Sequence, residues 1–258
     1  MQPTTYTQKS MVNSVDCDLA RRMTPGALLR LCQQAATDHC TSLGLTNEYY
    51  EREHVAFLLA KLACRWNRPI RLDEELTLLT RPETAKRAVY KRITEIRDAD
   101  GREVALVDSR WVLVDTESRH ILRRPTPAIA AVPFAEQVER ELPFILPRPE
   151  SLEPLGEQRA LYSLCDQNGH INNTRYIDLA CDALPLDMLA GSPVAYLCAN
   201  YHSEIPAGQA FAAGRARLED GWYFACSQPQ KRCFEAFLTF ASLGKSPHAG
   251  PARASGTD

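Results

Sequence analysis

Long apolar runs are missing from this 258-residue chain. The longest, Val55 to Cys64, is broken by Lys61 and falls far short of the roughly 20 residues a membrane-crossing helix needs. Charge of one sign is missing too. The formal net charge of −2 offers no general attraction for nucleic acid or an anionic membrane surface. The opening stretch MQPTTYTQKSMVNS has no basic segment followed by an apolar one, so no secretion signal is expected and a cytoplasmic protein is. Nine cysteines occur, at 17, 32, 40, 64, 165, 181, 198, 226 and 233, but no C-x-x-C. Zinc-ribbon and dithiol redox readings lose their main support, and these cysteines read as small buried hydrophobes. Also absent are G-x-S-x-G, G-x-x-x-x-G-K-[ST], G-x-G-x-x-G and H-E-x-x-H. Their absence argues against α/β-hydrolases, nucleotide enzymes and zinc peptidases.

What remains is an ordinary globular composition, 45% hydrophobic and 24% charged, in a chain long enough for one large domain or two small ones. Seven of the 17 prolines fall between Pro125 and Pro154, which reads as an extended connection. The expected organisation is a first domain over residues 1–128, a proline-rich linker over 129–157, a second domain over 158–244 and a disordered tail over 245–258.

The two halves repeat one pattern. The first opens with an extended segment from about Thr5 to Val15. Thr24 can cap a helix with Pro25 at its first position. Ala27, Leu28, Leu31, Cys32, Ala35 and Ala36 give that helix one apolar face, and Gly44 ends it. Strand-like runs follow at Val55–Trp66, Glu75–Thr80, Arg87–Arg97 and Glu103–Asp115, with Asp100-Gly101 as a hairpin turn. In the second half Ala160–Leu164 is strand-like. A helix follows Asn172-Asn173 and is stopped by Pro185, and strands lie near Val194–Tyr201, Gln209–Leu218, Trp222–Ser227 and Cys233–Ala241. Strand, one long helix, then an antiparallel meander is the hotdog arrangement. The fold class expected is therefore α+β, with two tandem hotdog folds forming an internal pseudo-dimer.

One segment is polar where a core element ought to begin: Asp166-Gln167-Asn168-Gly169-His170-Ile171-Asn172-Asn173. If extended, Asp166, Asn168 and His170 would project to one side, with Cys165 on the other. The helix that follows would present unpartnered N–H groups. A carboxylate, an amide, an imidazole and a helix N-terminus together can stabilise an oxyanion.

The run from Asp166 to Ile177 resembles the D-x-N-x-H-[VI]-N-N-x-[KR]-Y motif of acyl-ACP thioesterases, tandem hotdogs that release fatty acids from acyl carrier protein. Gly101 through Trp111-Val112-Leu113-Val114-Asp115, and Tyr201-His202-Ser203-Glu204, are similar to further stretches of that family. The resemblance implies a catalytic set of Asp166, Asn168, His170 and Glu204, no cofactor and no metal, and acyl carrier protein as partner. Glu204 would be the general base for a water. His170 would polarise water or thioester and protonate the departing thiolate, and the two roles stay exchangeable. Asn168 would position the carbonyl or the water, and Asp166 would orient Asn168. Ile205 stands where some members carry Cys, which excludes a thiol nucleophile there. An acyl-CoA thioesterase with the same residues, a non-catalytic acyl-binding hotdog protein and a dehydratase remain alternatives.

In the first half Leu19, Arg21 and Met23 would match Asp166, Asn168 and His170, so that half would supply acyl pocket and scaffold. Its first helix and Val55, Phe57 and Leu59 are the candidate pocket walls. Arg123-Arg124, Lys86-Arg87 and Lys91-Arg92 are candidate contacts for the acidic carrier protein. Whether two chains pair as a homodimer stays open.

Overall fold

The computed structural model describes residues 4–136 and 140–241, and the expected tail lies outside them. The first half runs β1 (Tyr6–Met11), α1 (Pro25–Ser42), α2 (Asn47–Arg52), β2 (Val55–Trp66), β3 (Glu75–Pro82), β4 (Val89–Arg97) and β5 (Glu103–Asp115). A short α3 (Pro127–Ala130) leads into the second half. There follow β6 (Glu153–Arg159), α4 (Arg175–Asp182), α5 (Leu186–Gly191), β7 (Val194–Tyr201), β8 (Ala210–Leu218), β9 (Gly221–Gln228) and β10 (Lys231–Phe240).

All ten strands form one sheet in the order β1-β3-β4-β5-β2-β7-β10-β9-β8-β6, every neighbour antiparallel. The order mirrors itself about the β2–β7 seam, where Lys61 pairs with Asn200 and Arg65 with Tyr196. Each half is thus a five-stranded sheet with one principal helix, the hotdog arrangement, and the two sheets are continuous. Leu28 and Ala35 of α1, Ile177 and Ala180 of α4, Leu62 of β2 and Ala199 of β7 belong to one buried apolar cluster, so the halves share a core.

Local chemistry explains α1. Thr24 is extended, its Oγ1 accepts from the Ala27 N–H at 3.2 Å, and Pro25 fills the first helical position, the pairing that satisfies an otherwise orphaned donor. Gly26 permits the close approach of α4: a Cβ there would come within 1.8 Å of Asp178 Oδ1. Without one, Arg30 meets Asp178 at 2.7 Å across the helix contact.

Two expectations are revised. Ala160–Leu164 is not a strand. It contains a single 3₁₀ turn at Tyr162–Leu164, and the edge strand is the earlier β6, paired with β8. The expected linker therefore holds the start of β6. Its middle is also pinned: the Ala135 N–H donates to Pro82 O at 2.9 Å, the Leu142 N–H to Asp108 Oδ2 at 3.3 Å, and Arg140 pairs with Glu95 at 2.7 Å. Leu142 packs with Ala63, Ile93 and Leu106, residues whose neighbours in sequence face α1. The connection thus covers the sheet face opposite the helices.

Candidate active site

The segment from Cys165 to Ile171 is not extended. Cys165 and Ile171 pair across a tight turn, in which the Gly169 N–H donates to Asp166 O at 3.0 Å and the Asp166 N–H to His170 O at 3.1 Å. Gly169 has φ +76, a conformation glycine enters without steric cost. The Asp166 carboxylate folds back into the loop: Oδ1 accepts from the Asn168 N–H and Oδ2 from the Asn172 side chain, both at 2.9 Å. Asp166 therefore fixes the turn through the Asn168 backbone rather than its amide. The Asn168 side chain is exposed and has no protein partner among the described residues.

His170 is placed by pairing with Pro206 and by the Ile171 N–H, which donates to Ile205 O at 3.0 Å. That contact brings in the loop after β7 and with it Glu204. His170 Nδ1 lies 3.2 Å from Ile171 O. A carbonyl only accepts, so Nδ1 carries a proton, and in the neutral tautomer Nε2 presents a lone pair. Nε2 lies 3.5 Å from Glu204 Oε1. In that tautomer Nε2 and the carboxylate face one another as two acceptors. The other carboxylate oxygen, Oε2, receives Arg119 at 3.3 Å from the turn after β5. Sequence reasoning missed Arg119, since only the fold brings residue 119 to residue 204.

The α4 N-terminus is less open than its position suggests. The Thr174 N–H donates to Asn172 Oδ1 at 2.9 Å and the Arg175 N–H to Asn172 O at 2.9 Å. These two donors are engaged within the loop, whereas the side-chain amides of Asn168 and Asn173 have no hydrogen bond among the described residues. Cys165 is half-buried, and burial, aided by the Asp166 charge, pushes its thiol above the ordinary range. That is the opposite of an activated nucleophile. Ile205 is fully buried.

The mirror position in the first half corrects the expected register by one residue. Cys17 pairs with Met23 as Cys165 does with Ile171. The Asp18 N–H donates to Arg22 O, and the Ala20 N–H to Asp18 Oδ1. The Met23 N–H donates to Ile70 O as Ile171 does to Ile205. Asp18, Ala20, Arg22 and Pro69, not Leu19, Arg21 and Met23, therefore stand opposite Asp166, Asn168, His170 and Glu204. The carboxylate persists as a partner of Arg22, at 2.8 Å. The amide, imidazole and glutamate have no counterpart.

A mostly apolar cavity of about 30 Å³ lies between α1 and the sheet; His170 and Glu204 do not line it, but Asn173 and Tyr201, each three residues away in sequence from one of them, do. Asn173, Thr174 and Tyr201 bound it from the second half, Leu29, Cys32 and Ala36 from α1, and Leu59, Leu62 and Trp111 from the first-half sheet. Leu59 lines it as the sequence suggests. Val55 and Phe57 instead pack in a separate cluster with Tyr49, Tyr90 and Leu113. A cavity of about 90 Å³ occupies the mirror position, bounded by Arg22, Pro25, Trp66, Pro69 and Cys181.

Among the described residues no helix is long and apolar enough to cross a membrane, and no cluster of His, Cys, Asp or Glu could hold a metal ion. Comparison with curated protein sequences finds no match. Among solved structures, the chain is similar to an acyl-ACP thioesterase from Bacteroides thetaiotaomicron at 19% identity and TM-score 0.82, covering 92% of this chain and 98% of that one. It is also similar to a 12:0-ACP thioesterase from Umbellularia californica at 14% identity and TM-score 0.82, covering 93% and 98%. These likenesses show the fold. The models of the acyl-ACP thioesterase N-terminal and C-terminal domains match residues 3–131 and 158–222, and the chain belongs to the acyl-ACP thioesterase family of thioester hydrolases.

Proposed function

We propose that this protein hydrolyses the thioester of fatty acyl-ACP, and that His170 and Glu204 activate the attacking water with Asn168 and Asp166 in support. The observation that carries this reading is the opposed pair of acceptors, His170 Nε2 and Glu204 Oε1, 3.5 Å apart. A water at about 2.8 Å from each could donate one hydrogen to each, leaving its lone pairs for a thioester carbonyl. As the water oxygen bonds to carbon, one of the two bases takes its proton and the carbonyl oxygen becomes an oxyanion. The Asn168 amide is free to donate to it, the interaction that counts most in acyl transfer. Collapse breaks the C–S bond, and the same base returns the proton to the departing thiolate. Asp166 holds the turn that aims His170.

The acyl chain would lie along α1. The 30 Å³ cavity holds a water or two, whereas ligand pockets run to about 300 Å³ or more, so binding requires side chains between α1 and β2 to move apart. Arg119, Arg123 and Arg124 are exposed on the segment that follows β5, and Arg119 reaches Glu204. These three arginines are the proposed contacts for an acidic carrier. A free-thiol assay over acyl-ACPs of several chain lengths, repeated with the matching acyl-CoAs, tests the reading. Thiol release with kcat/KM at least tenfold higher for the ACP series is expected. A CoA preference would reassign the carrier, and no thiol release from either would leave an acyl-binding protein or a dehydratase.

A further inference from the structure

Among the described residues Arg92, a half-buried cation, has no anion within ion-pair distance. Arg92, on the α1-facing side of β4, lines the cavity that Asn173 and Tyr201 also bound. Its Nη1 reaches His39 Nδ1 and Thr80 Oγ1, both at 3.3 Å, and its Nη2 reaches Cys40 Sγ at 3.7 Å. Other partly buried arginines each meet a carboxylate: Arg22 meets Asp18, Arg81 meets Glu95 and Arg110 meets Asp108. Among the described residues Arg92 meets none. A guanidinium carries five N–H donors, and the Arg92 Nε–H and one Nη2 hydrogen have no partner among the described residues. His39 and Cys40 belong to the last turn of α1, where a cation is favoured. That gain is small beside the cost of removing a charge from water.

The hydroxyl and indole groups nearest Arg92 along the sheet are already engaged. Ser109 Oγ donates to Arg92 O at 3.2 Å and accepts from Trp111 Nε1 at 2.9 Å, and Thr94 Oγ1 donates to Thr80 Oγ1 at 2.9 Å. The amides of Gln33 and Asn173 also line the cavity, and Arg92 is the one charged donor among its lining residues. Its place is also defined. Arg92 lies opposite Ser109, Ser109 opposite Leu62, and Leu62 opposite Ala199, two residues before Tyr201. Three strand spacings of about 4.8 Å separate Arg92 from the strand that leads to Glu204, roughly 14 Å in all. That is the reach of a medium-length acyl chain.

We infer that Arg92 reads the far end of the acyl chain, and that the preferred substrate carries an oxygen acceptor there, a hydroxyl or carboxylate, rather than a methyl group alone. The inference rests on the thioesterase reading above and names its substrate class. An oxygen would meet the open donors, whereas a methyl group would cover them and leave them unmet, and sites built to bond a polar group reject analogues that lack one.

The experiment compares acyl-ACPs of equal length, one methyl-ended and one carrying an ω-hydroxyl or ω-carboxylate, on wild type and Arg92→Met. Wild type should favour the oxygenated chain by tenfold or more in kcat/KM, and Arg92→Met should erase or reverse that ratio. A wild-type preference for the methyl-ended chain, or a ratio unmoved by the substitution, overturns the inference and leaves the thioesterase reading intact. If wild type releases thiol from neither substrate, that reading falls, and the inference is decided by calorimetry with the two free fatty acids. At least tenfold tighter binding of the oxygenated acid, lost in Arg92→Met, supports it, and equal binding overturns it. Should Arg92→Met fail to fold, Arg92→Lys keeps the charge but loses the fork, and should lose part of the same discrimination; an unchanged ratio would again overturn the inference.

Discussion

At the residue scale the candidate site comes down to two acceptors and a turn that aims one of them. Replacing His170 with Ala, or Glu204 with Gln, should lower kcat by about 10²-fold or more, the scale of a lost acid–base group. Steady-state thiol release with folded variants checks this; retention of a third of the wild-type rate would reject the assignment. Cys165→Ser should keep most activity, because the thiol is pushed up by burial and stands outside the acceptor pair. Mass spectrometry would show an acyl adduct on Cys165 if that is wrong. The sequence grouped Asp166, Asn168 and His170 by pattern and added Glu204 by family resemblance, and the fold brings His170 and Glu204 to 3.5 Å. Their geometry was not legible, because alternation presumes an extended chain and the Asp166–Gly169 turn removes it. The same presumption produced the slip of one residue in the first half, where Arg22, not Met23, occupies the mirror of His170.

At the element scale, what was legible followed from strong local signals. The bounds of β5, Glu103–Asp115, follow from the Asp100-Gly101 turn and two short apolar stretches, Val104–Val107 and Trp111–Val114. The start of α1 follows from Thr24 and Pro25. By contrast β6 reads EPLGEQR, with a proline, a glycine and little apolar side chain. Backbone pairing with β8 holds it, and pairing of that kind leaves no composition signal. α2 buries only Tyr49, too little for a periodicity. The turn that carries His170 allows its own test. At Gly169 a Cβ would meet nothing within 4 Å, so Gly169→Ala costs backbone strain alone, about 1–2 kcal/mol. A melting-temperature shift of a few degrees with a larger fall in kcat is expected. A stability loss with kcat unchanged would mean that the turn does not aim His170.

At the scale of the whole molecule the sheet is continuous across both halves, and its stability draws on polar anchors outside the site. Burial alone would raise the Glu235 carboxyl. Hydrogen bonds from Tyr223, His202, Asn200 and Arg232 instead hold it down to about 2. A carboxylate with a depressed folded value adds stability that is present above its unfolded value, near 4.3, and is lost as pH falls through the folded one. Glu235→Gln should therefore be less stable than wild type at pH 7, and the gap should close between about pH 4.5 and 2. Urea melts across that range check it, and a gap independent of pH would show that the charge is not what stabilises. The asymmetry of the halves makes a further demand: a non-hydrolysable acyl-ACP analogue should titrate to one equivalent per chain, and two productive equivalents would contradict a single site.

The mirrored loop has a consequence for how the chain tolerates change. Around Asp18 and Arg22 the fold keeps the turn and the neighbouring cavity but not the chemistry, so substitutions there are filtered by folding alone. In a saturation library scored separately for abundance and for turnover, the two scores should track one another across 18–23 and diverge across 166–171. The same backbone shape, written twice in one polypeptide, would serve as its own control.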